Sequence, residues 1–75
     1  MLTQAEEVVN NIFVCCLDGV KVADKIRAGV PILPRYLRYV AEHTANVNKI
    51  NYPRSYWEGV DWDEVIRQIK GTRKS

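Results

Sequence analysis

The fold turns on residues 3–19, TQAEEVVNNIFVCCLDG, because this stretch supports two different structures. Thr3 followed three residues later by Glu6 has the form of a capping box. In that motif a threonine hydroxyl and a glutamate carboxylate each satisfy a free amide at a helix start. Ala5, Val8, Val9, Ile12, Phe13 and Cys16 then recur at helical spacing and make one broad apolar face. Glu6, Glu7, Asn10 and Asn11 fall mostly off it, and Gly19 would supply the left-handed residue that ends the helix. The rival is a hairpin: Ile12 to Leu17 is rich in β-branched and aromatic residues, Asp18-Gly19 is a turn pair, and Val20-Lys21-Val22 alternates. The spacing runs unbroken from the cap onward, which favours the helix and leaves a β-hairpin around residues 12–23 as the alternative.

Working outward, Val20 to Ala28 reads as a second helix, with Val22, Ala23 and Ile26 inward, closed by Gly29. Val30-Pro31-Ile32-Leu33 is an apolar connector that its prolines keep from being helical. Pro34 suits the first turn of a third helix running to about His43. There Tyr36, Leu37 and Val40 would share the core face, with Arg35, Arg38 and Glu42 opposite. Residues 44–59 read as irregular, since Asn46, Asn48, Asn51, Pro53, Ser55 and Gly59 are turn-prone. Tyr52, Tyr56 and Trp57 lie within that stretch and are expected to pin it to the core or to a partner. Asp61 then caps a last helix, with Glu64 at its third position and a Val60–Val65 staple. Trp62, Val65, Ile66 and Ile69 form its apolar face, and Gly71 ends it. The expected fold is mainly α: a small single-domain helical bundle of about four short helices over residues 1–71, with a short basic tail at 72–75.

Seventy-five residues permit one domain, and a core this small leaves thin stability without disulfides, metal or a partner, so a homodimer is allowed for. Eleven Lys and Arg against nine Asp and Glu give a net charge of +2, less basic excess than a non-specific phosphate binder usually carries. Cys15 and Cys16 are neighbours, and disulfide geometry disfavours bridging them, so they read as free thiols in a reducing compartment. Residues 1–11 hold two glutamates and no basic residue, unlike a secretory signal. No apolar run approaches the ~20 residues that span a bilayer. The expectation is a cytoplasmic protein with no membrane association.

Little in the chain could perform chemistry. His43 is the single histidine, placed where an imidazole can serve the last turn of a helix. Cys15-Cys16 with one distant histidine does not match zinc-ligand spacing, so neither metal nor cofactor is expected. Asp61, Asp63 and Glu64 have a local task at a helix start. No phosphate loop, dinucleotide fingerprint or nucleophile elbow occurs, and the chain reads as a non-enzyme.

Two binding readings remain. Tyr, Trp and Arg anchor interfaces because they bury large area at low entropic cost. Tyr52, Arg54, Tyr56 and Trp57 concentrate them where helical periodicity does not require them. Val14 also lies opposite the main stripe of helix one, and a helix apolar on more than one side is buried all round or paired. These residues point to a small adaptor or inhibitor that docks on a larger protein, such as a nucleic-acid-handling enzyme. Short chains with so little chemistry are common among phage and mobile-element regulators.

The second reading starts from Arg35-Tyr36-Leu37-Arg38-Tyr39, which interleaves cations that can neutralise phosphate with rings that can stack on bases, in DNA or RNA. Taken with Val22 to Pro31, it resembles the helix-turn-helix half of MerR-type and excisionase-type winged domains over about residues 20–43. The resemblance implies a DNA-binding regulator. Arg35 and Arg38 would then face the major groove, and Lys21, Lys25 and Lys49 would contact phosphates. The chain departs from that pattern in the two prolines of its turn, in lacking a tight basic wing, and in the long helix that precedes the motif.

Overall fold

Helix propagation from the N-terminus begins as the capping box requires. The Glu6 amide donates to the Thr3 hydroxyl oxygen at 3.1 Å, and the Thr3 amide donates to the Glu6 carboxylate at 3.2 Å. The computed structural model describes residues 2–71; the basic tail expected at 72–75 lies outside the described residues. Five helical segments follow in order. They are α1 (Gln4–Val8), continuing directly into a π-helical stretch Val9–Val14, then α2 (Leu17–Arg27), α3 (Pro34–Val47), α4 (Arg54–Glu58) and α5 (Trp62–Gly71). The chain is mainly α, and no strand occurs among the described residues.

The hairpin alternative at 12–23 is therefore set aside, and with it the expected place of Gly19. Cys16 is extended (φ −104°, ψ 134°) and breaks the first helix three residues before that glycine. Gly19 is buried in the first turn of α2 with no left-handed backbone. Its hydrogen in place of a Cβ lets the two helices meet: a Cβ there would lie 2.0 Å from the Ile12 carbonyl oxygen. Gly19 is thus a helix–helix contact, and the turn chemistry of Asp18-Gly19 is unused.

Gly29 ends α2 as expected, with φ of +90°. Its amide bonds the Ile26 carbonyl at 3.1 Å and the Val30 amide bonds Lys25 at 3.0 Å, the paired bonds of a Schellman cap. α3 starts at Pro34 after extended Leu33 and runs one turn beyond His43, to Val47. It ends in a second Schellman cap, Lys49 to Asn46 at 3.1 Å and Ile50 to Ala45 at 2.8 Å, with Lys49 in the left-handed region at φ 59°. Residues 44–59 are less irregular than expected, since they hold the end of α3 and all of α4. Asp61 caps α5 by accepting from the Glu64 amide at 3.2 Å.

The N-terminal helix is the hub. Val8, Val9, Ile12 and Phe13 are buried where α1 and its π-helical extension meet α2, α3 and α5. Ala23 and Ile26 from α2, Leu37, Ala41 and Ala45 from α3, Trp57, Val60, Val65 and Ile69 complete one cluster. α3 thus meets the core through Leu37 and small residues, with half-buried Val40 packed against them as expected. Tyr36, expected to share the core face with Leu37, is 52 % exposed, because a residue one position away is turned 100° around the helix.

Candidate functional site

The four residues expected to anchor a partner come together around α4. Trp57 is buried at 4 % exposure, Tyr52 and Tyr56 are half-buried, and Arg54 is exposed. The Tyr52 and Tyr56 rings stack at 4.1 Å and 8°, and both meet the Trp57 indole edge-on at 5.3 and 5.7 Å. Trp57 in turn stacks on Trp62 at 6.2 Å and 13°. Both tyrosine hydroxyls reach back to the first helix: Asn11 Nδ2 donates to Tyr52 at 2.8 Å, and the Tyr56 hydroxyl donates to Glu7 Oε1. Burial, followed by that bond to the Glu7 carboxylate, pushes the Tyr56 phenol well above its ordinary value. These aromatics pin the segment to the core. Trp57 in particular is committed to the interior and offers a partner almost no surface.

Beside them lies a half-open cleft of about 200 Å³, where Tyr52, Arg54 and Trp57 are joined by Ile50, Asn46 and Glu42. Glu42 is held by Arg38, whose Nε donates to it at 3.1 Å. The cleft therefore mixes one exposed cation with one partly neutralised carboxylate over a small apolar floor.

A further open apolar surface lies on α3. Leu33 (63 %), Tyr36 (52 %), Tyr39 (66 %) and Val47 (62 %) are all more than half exposed. Together with Val40 and His43 they follow spacings of three, four and seven and so share one side of the helix. The Tyr39 and His43 rings run parallel, 6.3 Å apart. α3 is thus apolar on two sides: Leu37, Ala41 and Ala45 face the core with half-buried Val40 packed at its edge, and Leu33, Tyr36, Tyr39 and Val47 face solvent. No expectation from the sequence joined Leu33, Tyr39 and Val47. The signal was their helical spacing, visible once the core side is seen to consist of Leu37 and small residues. Val14 and Leu17, at the corner between the first helix and α2, are also exposed.

The residues named for nucleic acid do not converge as well. Lys21 and Lys25 are exposed one turn apart on α2, and Arg35 is exposed at the start of α3. Arg38 is half-buried in its ion pair with Glu42, and Lys49 sits at the opposite end of α3. The six residues between α2 and α3 exceed the three or four of a helix-turn-helix turn. His43 is exposed and lies one turn before the last turn of α3, so the expected helix-end role does not hold.

Cys15 is exposed and Cys16 buried, both as free thiols. The Cys16 thiol donates to the Asn11 carbonyl at 3.3 Å, and burial, with Cys15 and Asp18 adding, raises its pKa. Among the described residues no three His, Cys, Asp or Glu side chains converge as a metal site, and no helix is long and apolar enough to cross a membrane. No family model, curated protein or solved structure matches this chain.

Proposed function

We propose that this chain is a small non-enzymatic protein-binding module, an adaptor or inhibitor, whose docking element is the outward side of α3. The observation that supports it is the second apolar side of that helix. Core packing needs only one side of a surface helix, and an added stripe of Leu33, Tyr36, Tyr39 and Val47 is the pattern by which helices enter partner grooves. Tyrosine suits that task, giving large area with few rotors to immobilise. The stripe contains no Lys or Arg, so its chemistry suits protein better than phosphate.

A photo-crosslinking residue at position 39, introduced in the cell that makes the chain, tests the proposal. A discrete protein adduct from position 39, with none from exposed position 63 on α5, supports it. An adduct from position 52 or 54 alone overturns it in favour of the cleft.

The helix-turn-helix reading draws support from one observation, that Arg35, Tyr36 and Tyr39 are all exposed in the first two turns of α3. It requires duplex binding that weakens steeply as salt rises and is lost in Arg35→Ala/Arg38→Ala. Anisotropy of labelled mixed-sequence DNA at two salt concentrations checks it.

A further inference from the structure

Resting on that docking reading, we propose that the outward side of α3 receives a second copy of this chain, packed antiparallel about a two-fold axis near Val40. The stripe is self-complementary in that arrangement. Leu33, Val40 and Val47 recur every seven residues, as do Tyr36 and His43, the repeat that keeps a seam facing a neighbouring helix. A two-fold axis at Val40 sets Leu33 of one copy against Val47 of the other, and Tyr36 against His43. An isologous contact demands that one patch suit itself, and this one pairs aliphatic with aliphatic and ring with ring.

Charge agrees with the arrangement. No lysine or arginine lies in the stripe, so copies approach without burying like charges. Arg35 and Glu42 lie around the helix away from the seam, and Glu42 stays paired with Arg38 of its own chain.

The area is adequate for a weak dimer. Four side chains more than half open, at roughly 150–250 Å² for a large one, offer about 500 Å² per chain. That is near a tenth of the 5135 Å² surface. Val40 and His43 raise the two-chain total to about 1,200 Å², the lower edge of specific interfaces. The expected affinity is on the order of micromolar.

Sedimentation of the full chain over a wide concentration range tests this, together with two sets of variants. The expected result is a concentration-dependent monomer–dimer equilibrium that Tyr39→Glu abolishes while the helical circular dichroism is kept. In a Cys15→Ser background, oxidising a mixture of Leu33→Cys and Val47→Cys chains gives the covalent mixed dimer. Leu33→Cys alone does not, because its two thiols lie about 21 Å apart along the axis. A monomer at every concentration, a dimer unaffected by Tyr39→Glu, or efficient linking of Leu33→Cys to itself overturns the proposal. A monomer whose position 39 still crosslinks to another protein overturns the second copy and upholds the docking reading; a monomer without that adduct overturns both.

Discussion

The hydroxyl of Tyr56 donates to the carboxylate of Glu7 across 49 positions of chain, tying α4 to the first helix. A bond to a charged acceptor contributes about 1.5–3 kcal/mol when partly shielded, so Tyr56→Phe lowers stability by about 1–2 kcal/mol. The same contact has a pH signature. The Tyr56 phenol is raised above its unfolded value, so its contribution is present in full below about pH 10 and drains away as pH climbs through the folded value. Urea unfolding of the natural chain and Tyr56→Phe, compared from neutral to alkaline pH, checks both: the difference between them shrinks above about pH 10.

Gly19→Ala reverses an ordinary rule. Alanine inside a helix normally gains about 1 kcal/mol over glycine. Here the new methyl meets the Ile12 carbonyl at 2.0 Å, and backbone cannot yield as a flexible side chain can. The expected loss is about 3 kcal/mol or more, enough to unfold much of so small a domain. Gly71→Ala, with nothing within 4 Å, stays neutral or gains slightly. Thermal melts of the two variants separate the cases.

The two Schellman caps make a matched pair. Gly29 occupies the left-handed position after α2 and Lys49 the one after α3. A left-handed non-glycine residue costs roughly 1–2 kcal/mol, partly offset by the freedom glycine brings to the unfolded chain. Lys49→Gly therefore stabilises by about 0.5–1 kcal/mol, and Gly29→Ala destabilises by about 1 kcal/mol. Denaturant midpoints of both are the measurement.

The adjacent thiols differ in reactivity. Cys15 is exposed, whereas Cys16 is buried, donates to the Asn11 carbonyl and has its pKa raised. Thiolate is the reactive form, so iodoacetamide at neutral pH modifies Cys15 quickly and Cys16 only on unfolding. Mass spectrometry of the digested product reads the two sites.

The parts of the fold legible from sequence were those written in local chemistry. Thr3 with Glu6, Gly29, Pro34, and Asp61 with Glu64 each act on their own or the next turn of backbone, so their spacing suffices to place a helix end. Gly19 escaped because its role lies in a carbonyl from another helix, which no neighbour in sequence reveals. α4 escaped as well: five residues after Pro53 with no side-chain cap, held by rings whose partners are Asn11 and Glu7. The docking stripe was obscured by the reverse effect. Tyr36 looked like a core residue beside Leu37 and Val40, and only the packing of Leu37, Ala41, Thr44 and Ala45, with Val40 at its edge, shows that Tyr36 turns outward.

The most direct test of the central claim, that the outward side of α3 is free surface made for another molecule, is urea unfolding of Tyr36→Glu/Tyr39→Glu in dilute solution. The expected stability lies within about 0.5 kcal/mol of the natural chain's, as for exposed positions that support nothing beneath them. A loss above about 2 kcal/mol would place those rings in the core and contradict it.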